Sequence, residues 1–142
     1  MTTVQRPTAA FVGASWGALC IGVAAFLLGL WNAQMQLNEK GYYLSLLLHG
    51  LFAAISLQKS VRDRSEGIAV TGLYFSLCWF SLFAVIGLLA AGLWNAELQP
   101  SEKGFYAMSF VLSLFAVVAV QKNVRDLGAD QAPAPATAPG HG

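Results

Sequence analysis

The side chains in this sequence that could do chemistry are few, and nearly all of them occur twice. Glu39-Lys40-Gly41 returns as Glu102-Lys103-Gly104, Gln58-Lys59 as Gln121-Lys122, and Arg62-Asp63 as Arg125-Asp126, always 63 residues apart. Carboxylates beside ammonium and guanidinium groups can pair with one another, hold anionic headgroups or line a polar mouth. Acid–base catalysis would need them to converge in a cleft on a substrate, and the spacing does not announce that. His49 is a singleton opposite Leu112, and it is either an imidazole hydrogen-bonded to a neighbouring helix or a protonatable group that contacts a ligand. Cys20 and Cys78 stand far apart inside apolar runs and read as small apolar residues rather than a redox pair. Two-histidine haem ligation is excluded because His141 lies in the tail, and no metal cluster, phosphate loop or nucleophile motif is visible. We expect no catalytic residue, no cofactor and no metal.

These groups belong to one motif written twice. Residues 30–63 and 93–126 align without a gap, and 17 of 34 positions are identical. Trp16 and Trp79, and Gly29 and Gly92, fall in the same register. A repeat of this length defines the architecture.

Long apolar runs separate the polar groups. Mean hydropathy is +0.58 and charged residues make up 11% of the chain, which is not a soluble composition. No formal charge occurs between Arg6 and Glu39 or between Glu66 and Glu97. Two shorter gaps, Lys40 to Lys59 and Lys103 to Lys122, reach membrane length if the second lysine of each snorkels. The reading is an all-α membrane protein of four transmembrane helices, arranged as two tandem, parallel-repeat helical hairpins. Residues 1–9 form a cytoplasmic start, 10–63 the first unit, 64–71 a cytoplasmic linker, 72–126 the second unit, and 127–142 a disordered Pro/Ala-rich tail. Six Lys/Arg residues border the side holding both termini and two border the other. That split puts both termini in the cytoplasm. The basic residues edge a bilayer and form no stacking groove, so nucleic acid is not a partner.

Local signals set the helix ends. Trp31-Asn32 and Trp94-Asn95 close the first and third helices, with Trp at the headgroups and Asn expected to terminate the helix in a left-handed conformation. Asn38 and Ser101 are expected N-caps. The second helix should then run from Glu39 to about Asp63, with Glu39 and Glu102 in first turns. Tyr42, Tyr43, Phe105 and Tyr106 suggest an outer aromatic belt. Lys59/Asp63 and Lys122/Asp126 can form weak surface ion pairs. Gly13, Gly17, Gly22 and Gly29 in the first helix, with Gly72 and Gly87 in the third, suit close helix packing, within the chain or between copies. Positions that differ between the copies, Leu44/Ala107 and Leu47/Phe110, are expected to face lipid.

Identity between copies marks the groups that both units need. One reading is structural: Trp31, Asn32, Glu39, Lys40, Gly41 and their copies Trp94, Asn95, Glu102, Lys103, Gly104 close the outer turns. Gln58, Lys59, Arg62, Asp63 and Gln121, Lys122, Arg125, Asp126 then anchor the inner ends. The other reading is a site, either for anionic lipid headgroups or a protein partner at the inner set, or a small polar mouth at the outer one.

The linked motifs Leu30-Trp31-Asn32-Ala33, Glu39-Lys40-Gly41, Gln58-Lys59 and Val61-Arg62-Asp63, with their second copies, resemble the YiaA/YiaB inner-membrane family. The likeness is to YiaA-like members with two tandem two-helix units, over residues 11–126. It implies a bacterial inner-membrane protein and supplies no activity and no catalytic residue. The expected function is a non-enzymatic structural or accessory role in the lipid bilayer, with self-association or a membrane-protein partner. The alternative is a small oligomeric channel or carrier with a path between the hairpins.

Overall fold

The computed structural model describes residues 6–130. Residues 1–5 and 131–142, including most of the expected tail and His141, lie outside the described residues. Four helices account for nearly all of the rest: α1 (Ala9–Asn32), α2 (Leu37–Ser65), α3 (Gly72–Asn95) and α4 (Pro100–Asp130). All four are long and apolar enough to cross a membrane. α2 has 29 residues, about 43 Å at 1.5 Å per residue, so its ends extend beyond a hydrocarbon core of about 30 Å.

The helix ends show the repeat locally. The Thr8 hydroxyl accepts from the Phe11 N–H at 3.2 Å, and its counterpart Thr71 accepts from the Tyr74 N–H at 3.3 Å. Each satisfies one of the donors that a helix start leaves open. α2 and α4 begin earlier than expected, so Asn38 and Ser101 lie in first turns and are not the caps. The α2 cap is Gln36, without a side-chain bond. In α4, Pro100 takes the first helical position, where its missing N–H costs nothing. Asn32 and Asn95 do not turn left-handed either. Their amides donate back to the Leu28 and Ala91 carbonyls at 2.9 and 2.8 Å, and the chain leaves each helix through an extended alanine, Ala33 or Ala96. The left-handed turn comes after α2, at Gly67 with φ 78°, where the Ile68 N–H reaches back to the Asp63 carbonyl at 2.8 Å. α4 continues through residues 127–130, placed in the tail by sequence, before the described residues end.

The two helices within each repeat unit are not packing neighbours. α1 lies mainly against α4, and α2 against α3. α2 and α4 meet at the centre, while α1/α2 and α3/α4 touch little. Each unit lends its first helix to the other unit's second.

Size complementarity explains this exchange. A Cβ on Gly22 would sit 2.7 Å from Ser113 Oγ and 3.0 Å from the Ser113 backbone nitrogen. In the equivalent place of the other half, glycine and bulk trade sides, with Gly50 under Val85 at 3.2 Å. Gly29 seats Phe105 (2.8 Å) just as Gly92 seats Tyr42 (2.7 Å). Lipid is as apolar as the side chains, so close approach at small residues drives helix pairing in a membrane.

The centre is filled by Phe26, Leu47 and Phe110, each at most 1% exposed, beneath the stacked rings of Tyr43 and Tyr106 with centroids 6.2 Å apart. Leu47 and Phe110 are thus core and not lipid-facing. Phe110 reaches over Gly50, 2.9 Å from where a Cβ would lie. Tyr43 and Tyr106 likewise leave the expected aromatic belt for the core, whereas Trp31 and Trp94 are 81% and 85% exposed.

Candidate functional site

The inner polar set gathers at the end that carries the α2–α3 loop. Arg62 on α2 reaches Asp126 on α4, and Arg125 on α4 reaches Asp63 on α2 at 2.6 Å. These are the same interaction made twice by repeat-equivalent residues. Lys59 and Lys122 add intrahelical contacts of 2.9 Å to Asp63 and Asp126. Glu66 closes the cluster, 3.0 Å from Arg62 Nε and 2.8 Å from Arg125 Nη2. The sequence suggested weak surface pairs within each helix, but both aspartates are buried and bridged between helices. The two arginines hold the Glu66 carboxyl below the usual glutamate range, Arg62 first and Arg125 with it.

This geometry divides the candidate binding residues. Arg62, Asp63, Arg125 and Asp126 are spent on one another and clamp α2 to α4. Lys59 and Lys122, with side chains 57% and 51% exposed, keep donors free for other partners. Gln58 is half-buried, with its side-chain oxygen unpaired. One turn inward, Asn123 on α4 donates to Ser15 on α1 at 3.2 Å, and Ser60 on α2 meets Cys78 on α3 at 3.7 Å. These pairs are also repeat equivalents. Sequence reading missed them because the residue types differ, although their common 63-residue register was there to be used.

The outer polar set behaves differently. Lys40 and Lys103 turn to the Trp31 and Trp94 carbonyls at 3.2 and 3.4 Å, closing each turn across nine residues. Gly41 and Gly104 have open space where a Cβ would lie. The polar mouth expected between Glu39, Lys40, Glu102 and Lys103 is instead a recess on one side, lined by Glu39, Glu97, Asn95 and Tyr43 among others.

His49 is exposed on the outer face of α2, and its imidazole meets no hydrogen-bond partner among the described residues. The expected cross-helix bond within the chain is absent there, because Leu47 and Gly50 take the inward positions. Of the serines within the spans, Ser109 and Ser113 bond back to the Tyr106 and Ser109 carbonyls and line no path. Cys78 is buried and Cys20 exposed. Among the described residues no group of three metal-ligating side chains converges.

Four apolar helices that exchange partners, locked by a charge cluster at the end with the α2–α3 loop, define a multi-pass membrane protein built from a duplicated two-helix unit. A family model described as the yiaA/B two helix domain matches residues 11–63 and again 74–126, and the chain belongs to that family. It is 57% identical over 119 residues to the inner membrane protein YiaA of Escherichia coli (strain K12), across 84% of this chain and 82% of that one. It is 29% identical over 96 residues to inner membrane protein YiaB of the same strain, across 67% and 80%. The uncharacterized membrane protein YubF of Bacillus subtilis (strain 168) matches at 40% over 63 residues, 44% of this chain and 72% of that protein. No solved structure matches the chain. The protein is a bacterial multi-pass inner-membrane protein, and its relatives' names state no activity.

Proposed function

We propose that the protein is a non-enzymatic, structural or accessory component of the inner membrane that self-associates, with both termini cytoplasmic and its two units related by an axis along the membrane normal. The observation that carries this reading is the reciprocal Arg–Asp clamp, which spends the repeated charges on holding the chain's own helices. A carrier would instead leave charged or polar groups lining a path. Two outward features support association. Gly13 and Gly17 on α1 have nothing within 4 Å of a Cβ position, so the small-residue face is only partly used inside the chain. His49 also faces outward in mid-span, where an imidazole calls for a partner. Lys59 and Lys122 suit anionic headgroups beside the clamp.

Native mass spectrometry of protein gently extracted from its own membrane tests the reading. A homo-oligomer is expected, and a monomer at every concentration refutes self-association. Ion or solute flux in proteoliposomes would favour the channel or carrier.

Topology has its own test. A cysteine placed at Thr2 is expected to resist a membrane-impermeant thiol reagent in intact cells, and labelling there would reverse the orientation. Trp31 and Trp94 belong at the interface. In a variant retaining only these two tryptophans, shallow quenchers are expected to act more strongly than deep ones, and the opposite order counts against that placement.

A further inference from the structure

At the end with the two short turns, a recess of about 720 Å³ opens between the start of α2 and the end of α3. Tyr43 forms part of its wall and is 5% exposed, yet its hydroxyl has no hydrogen-bond partner among the described residues. The second unit shows what this hydroxyl would otherwise do: Tyr106 donates to the Gly29 carbonyl at 2.7 Å. The difference traces to the preceding residue. It is Phe105 in the second unit and Tyr42 in the first. The Tyr42 ring lies over Gly92, and its hydroxyl donates to the Leu88 carbonyl at 2.5 Å. The Tyr43 phenol oxygen stands beside Gly92, 3.2 Å from where a Cβ would lie, yet makes no such bond and borders the recess. Its oxygen is not sealed in the interior, so whatever fills the recess, ligand or water, supplies its partner.

The charges around the recess have one sign. Glu39 and Glu97 both line it, and neither has an ion-pair partner among the described residues. No lysine or arginine lines it, since the Lys40 ammonium is turned to the Trp31 carbonyl. The end of α3 contributes the negative pole of its dipole, and Glu39 offsets the positive pole at the start of α2. Asn95 spends its amide N–H on the Ala91 carbonyl at 2.8 Å, so its oxygen remains an acceptor. The tyrosine rings add faces that attract cations. The set is therefore rich in acceptors, aromatic and anionic, and it lacks the third carboxylate or imidazole that a divalent metal would want.

We propose that this recess binds a small aliphatic amine or diamine as its ammonium form, with the charge held by Glu39 and Glu97 and the Tyr43 phenol oxygen accepting an N–H. The acid pair occurs once, where the start of α2 meets the end of α3, because the counterpart of Glu97 is Gln34. It is independent of any accessory role.

The test is isothermal titration of the full chain, in nanodiscs of neutral lipid, with 1,4-diaminobutane. Saturable binding is expected with a dissociation constant of about 0.1–1 mM, as suits partly solvated ion pairs. Glu39→Gln or Glu97→Gln is expected to weaken it about tenfold, and Tyr43→Phe about threefold. Glu102→Gln, at the counterpart of Glu39, is expected to leave it unchanged. Glu97 is an exposed turn residue, so an unaltered melting profile of its variant will separate lost binding from lost folding. Absence of saturable binding overturns the proposal. So does equal weakening by Glu102→Gln, or magnesium binding with the same dependence on these variants.

Discussion

Gly22→Val is expected to break the α1–α4 interface, and adding Ser113→Gly in the same chain is expected to repair it. The Gly22 Cα faces Ser113 so closely that a Cβ would meet both its hydroxyl and its backbone nitrogen. Backbone cannot yield as a flexible side chain can, so the helices must separate and give up contacts along their length. Overpacking of this kind costs about 1–3 kcal/mol. The repair follows from the other half of the molecule, where the equivalent positions already hold Val85 over Gly50. The double variant rebuilds that arrangement between α1 and α4. Reversible unfolding in mixed micelles, titrated with dodecyl sulfate, would measure it. Gly87→Val, which adds its side chain into open space, is the control and is expected to shift stability by less than about 0.5 kcal/mol. A double variant less stable than the single one would disprove the size exchange.

Asp126→Asn is expected to loosen the opposite end of the bundle. Its carboxylate is 4% exposed and receives both Arg62 and Lys122, so the substitution leaves two cations facing a neutral amide. Removing a buried, charge-assisted acceptor costs about 1–3 kcal/mol, whereas Lys122→Ala at the half-exposed rim should cost under about 1 kcal/mol. The same unfolding assay compares them, and equal effects would mean that the aspartate is not the centre of the clamp. Acid should imitate the loss in part. The folded pKa of Glu66 lies below its unfolded value, so its contribution is complete above the ordinary glutamate pKa. It disappears as pH falls through the depressed folded value. Stability should therefore decline below about pH 4.5, and Glu66→Gln should reduce that decline.

Much of the chemistry of both ends was legible from residue types. The repetition of Arg62, Asp63, Arg125 and Asp126 marked them as groups both units need. The sequence offered only intrahelical Lys–Asp pairs or a binding set, and the Arg–Asp clamp between α2 and α4 came from the structure. Glu97 and Tyr43 carried no such mark. One is not repeated as an acid, and the other looks identical to Tyr106 although only Tyr106 donates to a glycine carbonyl.

The linear sequence by itself determined the four spans and the equivalence of the two halves, and placed the helix ends to within a few residues. Insertion in a bilayer is set by uninterrupted apolar length, and helix ends by threonine, proline and glycine within one turn. Only the tertiary structure decided which helices embrace, why Leu47 and Phe110 are core, why His49 faces outward, and why one tyrosine hydroxyl is left without a partner. In lipid every face of an apolar helix is equally soluble, so hydropathy does not mark the packed side. That choice falls to the fit of glycine against bulk across helices far apart in sequence.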